Sequence, residues 1–378
     1  MFGKLVRCKF LKSICCVIKT TESVFVDKSI VGGLMNNAFV QTLFDEPLDI
    51  VGDIHGEIEA LNHLLDVLGY DEQGHHPEQR KLIFVGDLCD RGIDSFAVIQ
   101  RVKALVEQGK AQCVLGNHEL NLLIDAKREG NGWFFGSPHE DDHKSFTSRQ
   151  INHQERLNIL NFLATLPIAL ESEKLRVVHA CWDQNSIDIL KSMQGLGTRQ
   201  AYDQFVQMTE NHVRETGIAE QAKRESAQYR SQMKNPQADI PFLPYLAQQD
   251  LVEQMHNPMK VLTSGAELLV DQPFYIGGRW RMIDRSAWWV HYQDEIPVII
   301  GHYWRNFKMT DEKTGFFKYI DAVQWFGQKK NVFCVDYSVG KRYVDRQYNR
   351  AYTSQLIALR FPENILLSET GEQWETSN

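Results

Sequence analysis

Short apolar runs that stop at a polar turn, each followed by a helix-like stretch, recur along the chain from residue 48. Leu48-Asp49-Ile50-Val51 ends in GDIHG at 52–56, and residues 57–69 follow with apolar positions 58, 61, 64, 65 and 68. That spacing predicts a helix with one apolar face. Lys81-Leu82-Ile83-Phe84-Val85 ends in GDLCDRG at 86–92, with a helix pattern through 94–108. Cys113-Val114-Leu115 ends in GNHE at 116–119, and helical spacing then runs to Ala126. Strand–loop–helix units in series predict an α/β sheet with helices packed on its faces.

Two more apolar runs end in candidate chemistry: 175–178 before His179, and 297–300 before Gly301-His302. Runs at 331–335 and 355–361 predict further strands on the antiparallel side of a β-sandwich. Between 183 and 295 the strand pattern fades. Residues 184–256 are rich in Gln, Glu, Arg and Met, and Pro236, Pro241 and Pro244 punctuate the stretch. It predicts a mainly helical insertion over the strand ends. The expected organisation is an N-terminal extension (1–47), a core (48–182 and 296–365), an inserted cap segment (183–295) and a polar, frayed tail (366–378).

Composition narrows the function classes. Of 378 residues, 43% are hydrophobic and 24% charged, which is ordinary globular composition and excludes a mainly disordered or fibrous chain. A net charge of -8 argues against general nucleic-acid binding, which needs clustered Lys and Arg. No 18-residue apolar run predicts a membrane-spanning helix. Seven cysteines at 8, 15, 16, 89, 113, 181 and 334 include no CxxC pair. A reducing, cytoplasmic location is therefore expected. Lys4, Arg7, Lys9, Lys12 and Lys19 all precede the first acid, Glu22. They mark a basic extension, with membrane-surface attachment through an acylated Cys15 or Cys16 as the sharper alternative.

The strand ends carry Asp53, His55, Asp87, Asn117, His118, His179 and His302. Imidazole and carboxylate together suit first-row divalent metals. Two metals need a shared ligand, and a carboxylate from the middle strand can bridge. Any one turn is weak evidence, because Gly-Asp pairs are common turn formers. Capping aspartates and surface histidines do not explain five such ends in order, each after an apolar run.

GDIHG, GDLCDRG, GNHE, the later strand-end His and the later GH resemble the signature of the calcineurin-like binuclear metallophosphoesterases. The nearest likeness is to the phosphoprotein phosphatase branch, which includes bacterial diadenosine tetraphosphate hydrolases. The resemblance covers about 48–182 and 296–305, and 331–342 with 355–363 resembles the closing strands of the bacterial members. It implies a four-layer β-sandwich flanked by helices. It also implies two divalent transition-metal ions, with Mn²⁺ first and Fe or Zn as alternatives. Asp53 and His55 would hold one ion, Asn117, His179 and His302 the other, and Asp87 would bridge. A metal-bridging hydroxide would attack phosphorus.

His118 would act as general acid, with Asp90 fixing its ring. Arg91 and Asn117 would bind phosphate, Arg91 as a planar guanidinium can. A second phosphate-binding Arg is expected, with Arg279, Arg281 and Arg305 as candidates; an amphipathic strand at 277–289 is an equal reading. Cys89 reads as a small core residue before a redox group. His75, His76, His139 and His143 read as loop residues.

The implied activity is hydrolysis of phosphomonoesters, on a phosphorylated protein, nucleotide or small molecule. A dinucleoside polyphosphate hydrolase is the alternative, and an inactive phosphate-binding scaffold is the alternative of another class. Glu119 in GNHE follows the eukaryotic-type phosphatases, yet CVDYS (334–338) stands where their SAPNY-type loop is expected.

Overall fold

The apolar runs that lack alternation are buried on both faces, as strands between a second sheet and a helix layer must be. The computed structural model describes residues 38–136, 149–193, 195–307 and 315–378. Cys8, Cys15, Cys16, the basic extension, His139 and His143 lie outside the described residues. The chain runs β1 (Val40–Thr42), β2 (Leu48–Val51), α1 (Ile58–Leu68), β3 (Lys81–Phe84), α2 (Ser95–Glu107), β4 (Ala111–Cys113), α3 (Asn117–Leu123) and α4 (Gly132–Phe135). Next come α5 (His153–Leu163), β5 (Ala169–Glu171) and β6 (Arg176–Val178). The insertion supplies α6 (Gln184–Ser192), α7 (Thr198–Glu215), α8 (Ile218–Tyr229), α9 (Pro244–Met255), α10 (Pro258–Ser264), β7 (Glu267–Ile276) and β8 (Arg279–Arg285). Then follow β9 (Val298–Ile300), β10 (Val332–Cys334), α11 (Arg342–Gln347), β11 (Ile357–Phe361), β12 (Ile365–Ser368) and β13 (Gln373–Glu375).

Two sheets result. One has the order β1-β5-β6-β9-β10, the other β13-β12-β11-β2-β3-β4. Alternate residues of a strand face opposite ways, and the apolar clusters divide accordingly. Ile50, Ile83, Val177, Ile299, Phe333 and Leu359 meet in one cluster drawn from both sheets. Val51, Phe84, Val178 and Ile300 turn outward instead, to the cluster that holds Leu61 of α1, Val98 of α2 and Phe162 of α5. Sheet packs on sheet, and helices cover the outer faces.

β2, β3 and β4 run parallel, and so do β6, β9 and β10. Within each sheet the ligand-bearing loops therefore leave from one end, which is where open α/β sheets bind ligands.

Four expectations need correction. The run at 331–335 is not on the antiparallel side, because β10 pairs parallel with β9. The tail is not frayed: β12 and β13 extend the six-stranded sheet, and Ser377 N–H donates to the Val323 carbonyl at 2.9 Å. Leu366 is fully buried there, so the polar letters around it conceal a strand. The extension joins the core at its end, where β1 pairs parallel with β5. The insertion is helical only to Ser264 and returns as the β7–β8 hairpin. Asp271-Gln272-Pro273 breaks the alternation of β7, and a register shift falls between Leu269 and Phe274, which hid the strand.

Candidate metal centre

Asp87 sits at the middle of the site because β3 lies between β2 and β4, and the loop after it reaches both neighbours. Ile54 N–H and His55 N–H donate to its carbonyl, at 3.0 and 2.9 Å. Its carboxylate lies 3.7 Å from Nε2 of His55, 3.8 Å from Nε2 of His118 and 3.4 Å from Nε2 of His179. One donor atom each from His55, Asp87 and His118 fall within 4.8 Å of one another, and so do those of Asp87, His179 and His302. Asp87 is common to both groups. Asp53 closes the first side, with Oδ2 4.0 Å from Nε2 of His55, and accepts the His302 N–H at 3.1 Å. Left-handed φ values gather here, at His55, Asp87, Asp90, Arg91 and His302. Such strain is stored where surrounding structure over-determines it, commonly at functional sites.

Second partners fix the imidazoles. Nδ1 of His55 donates to the Cys89 carbonyl at 3.0 Å, and Nδ1 of His179 to the Val85 carbonyl at 2.7 Å. Each ring thus presents Nε2 as a lone pair to the centre, the arrangement that metal-binding histidines use. Nδ1 of His118 donates to Oδ2 of Asp90 at 2.6 Å, and Trp133 Nε1 donates to the other oxygen at 2.7 Å. Arg91 donates through Nη1 to Nε2 of His55 at 3.0 Å and lies 3.3 Å from Nε2 of His118 through Nη2.

The electrostatics describe a centre built for added positive charge. Burial, then the charges of Asp336 and Asp87, push the Asp53 carboxyl well up. Burial acts upward on Asp87 as well, but His179 and His118 hold it well below the usual carboxylate range. Burial lowers His179, yet Asp87 and Asp53 raise it to about 10. His118 is raised too, because Asp87 and the Asp90 hydrogen bond outweigh its burial.

Three donor atoms also lack hydrogen-bond partners among the described residues: Oδ1 of Asn117, Nε2 of His179 and Nε2 of His302. Buried polar atoms are rarely left unpaired. Oxygen and imidazole donors aimed inward fit first-row divalent ions.

Several residues at the site escaped the sequence reading. Glu119 is fully buried and accepts the N–H groups of Asp87 and Leu88, both at 2.8 Å, and of Gly116 at 3.1 Å. It clamps the bridging loop onto the GNHE loop. Asp336 accepts Trp304 N–H at 3.1 Å and Ser338 N–H at 2.8 Å, and burial lifts its pKa to about 6. The sequence signal was present in CVDYS, an apolar run ending in Asp like the other ligand turns. Arg285, at the end of β8, was also missed. After burial, its charge is the largest influence lowering His302.

The candidate arginines lie elsewhere. Arg279 approaches Asp250 at 3.8 Å and Arg281 approaches Glu267 at 3.6 Å, both within the insertion. Arg305 is buried and donates to the carbonyls of Cys334, Asp321 and Gln324. Its guanidinium is spent on holding loops, which corrects its assignment to phosphate. Cys89 is buried, with a thiol pushed well up by burial and neighbouring carboxylates, so the core reading stands over the redox one.

Residues 47–198 match the family described as calcineurin-like phosphoesterase. An asymmetrical bis(5'-nucleosyl)-tetraphosphatase of Oceanobacillus iheyensis is 45% identical over 74 residues, 19% of this chain and 30% of that protein. A symmetrical bis(5'-nucleosyl)-tetraphosphatase of a Marinomonas species is 31% identical over 163 residues, 41% of this chain and 54% of that one. The matched stretches thus span about half or less of these curated relatives. A serine/threonine phosphatase structure from Saccharomyces cerevisiae aligns over 98% of this chain and 90% of its own at 13% identity, with a TM-score of 0.45.

Proposed function

We propose that this chain, whose residues 47–198 match the calcineurin-like phosphoesterase family, is a metal-dependent phosphoesterase. Asp53 and His55 would hold one divalent ion, Asn117, His179 and His302 would hold a second, and Asp87 would serve both. The observation that carries this reading is Asp87 itself, one buried carboxylate shared by two separate donor groups. Mn²⁺ is the first choice of ion, with Fe or Zn as alternatives. Such ions, when bound, polarise the phosphate and activate water near neutral pH.

The chain's own residues do the rest. Arg91 offers its N–H groups to the phosphate in place of His55 and His118. His118, protonated and pinned at Nδ1 by Asp90, gives its Nε2 proton to the leaving oxygen. Trp133 keeps Asp90 from rotating away. Arg285 supplies a second positive charge, in the role first given to Arg279, Arg281 or Arg305.

Phosphomonoesters remain one substrate reading. The names of the two curated relatives favour dinucleoside polyphosphates as the other. Among the described residues no helix is long and apolar enough to cross a membrane. A reducing, cytoplasmic setting is part of this proposal, and Cys89, Cys113, Cys181 and Cys334 are buried free thiols among the described residues.

The test is a panel with added Mn²⁺: nitrophenyl phosphate, phosphoserine and phosphotyrosine peptides, diadenosine tetraphosphate and a cyclic nucleotide. Hydrolysis that disappears on chelation is expected. Full activity in metal-stripped protein would overturn the metal reading, and phosphate binding with no turnover of any ester would favour the scaffold.

A further inference from the structure

The loop after β10 brings a second cation to the mouth of the site. Asp336 binds the backbone of both Trp304 and Ser338, and Ser338 Oγ donates to the Arg305 carbonyl at 2.8 Å, so the 301–306 and 335–341 loops are laced together. Gly340 presses on the centre: a Cβ there would lie 2.5 Å from His55 and 3.2 Å from Nη1 of Arg91. The next side chain, Lys341, turns to the indole of Trp304, with Nζ 5.5 Å from the ring centroid and 3.3 Å from Oδ1 of Asn306. The Arg91 guanidinium lies 4.7 Å from the centroid of that same ring. One indole therefore carries two cations. Arg91 touches His55 and His118 at the reacting end, and Lys341 stands off them.

Among the described residues no carboxylate lies within ion-pair distance of either cation. Two like charges sharing one ring repel unless an anion joins them, and a single phosphate at His118 engages Arg91 first. We infer that Lys341 is a specificity-determining residue that binds the phosphate next to the scissile one, so that the site reads a polyphosphate chain. This rests on the phosphoesterase reading above. A directly linked phosphoryl group suits the short span that one ring imposes, because its charge lies only a bridging oxygen away from the first. An acidic side chain of a phosphopeptide is the competing source of that charge.

Lys341→Met, Lys341→Arg and wild type should be compared in Mn²⁺ on nitrophenyl phosphate, diadenosine tetraphosphate and an acidic phosphoserine peptide. Equilibrium binding of inorganic tripolyphosphate against orthophosphate should be measured beside them. The expected result for the Met variant is a kcat/KM loss on the tetraphosphate that exceeds the loss on nitrophenyl phosphate by on the order of tenfold. That loss should lie mainly in KM, with matching weakening of tripolyphosphate binding and restoration by Arg. Equal losses on all substrates, no loss, or a loss confined to the peptide would each overturn the inference. If Lys341→Met does not fold, Lys341→Gln is judged by the same ratios. A wild type that hydrolyses nothing fails the phosphoesterase reading, while the ratio of the two binding constants still decides the role of Lys341.

Discussion

A methyl group on Gly301 would sit 2.1 Å from Oδ1 of Asp53. The residue before His302, a proposed ligand, is thus held to glycine by Asp53, the proposed ligand opposite. Gly301→Ala should displace Asp53 and weaken metal binding on the order of 10–100-fold, the size of effect seen for groups that orient ligands. Metal titration of the folded variant checks it, and unchanged affinity would show that Asp53 is not a ligand. His118→Ala should keep its metals and lose ~10²–10⁴-fold in rate. That loss should shrink for nitrophenyl phosphate, whose leaving group needs little protonation; an equal loss on an alkyl phosphate would remove the acid role. Asp90→Asn should give a milder version. Asp87→Asn should be the most damaging ligand change, and retention of both metals at wild-type turnover would refute the bridge.

At this scale the ligand turns were legible because each follows an apolar run and breaks it with residues that bind metal. Glu119 binds backbone rather than metal or phosphate, so nothing in its residue type announced it, whereas Asp336 closes an apolar run as the other site aspartates do. Arg285 was hidden among Arg279 and Arg281, since the sequence alone does not tell which arginine's charge acts on His302 and which ones meet Asp250 and Glu267.

Among elements, β2 and β11 are joined by more than their ladder. Asp49 and Arg360 are register partners, and the fully buried Asp49 carboxylate accepts Arg360 Nε at 2.9 Å, Arg80 Nε at 3.2 Å and Tyr70 OH at 3.0 Å. Arg80 is itself buried. Asp49→Ala would leave the buried Arg80 with Glu363, 2.8 Å away at the surface, as its remaining carboxylate, a loss of about 3–5 kcal/mol when one partner of a buried pair is removed. Urea unfolding measures it, and a cost under about 1 kcal/mol would mean that water or Glu363 takes over. The central parallel strands were legible in their double-faced burial. β7, β12 and β13 were not, because breaks, edges and polar neighbours dilute the periodicity that betrays a strand.

For the whole molecule, the question is what the insertion does. The sequence predicts a cover over the site, and the charge of Arg285 at the end of β8 lowers His302. A cover of this kind acts on selectivity. Deletion must spare α10, whose Met259, Val261 and Leu262 are fully buried and whose Leu262 carbonyl accepts the Ala180 N–H at 2.9 Å. Replacing 198–256 with a Gly-Ser linker should leave nitrophenyl phosphate turnover while changing the ranking of large substrates. An unchanged ranking in the folded, metal-loaded deletion would make the insertion an appendage.

β9 lies between β6 and β10 in its sheet, although the whole insertion separates it in sequence from β6. Order of synthesis therefore matters. A chain leaving the ribosome completes Asp53, His55, Asp87, Asn117 and His179 first, and His302 emerges later by on the order of ten seconds. Until it does, the gap beside β6 is an open, hydrogen-bond-hungry edge, and the second ion's ring of donors is one short. On the proposed ligand set, the nascent protein would pass through a state with five of its six donors in place, for as long as the insertion takes to be synthesised.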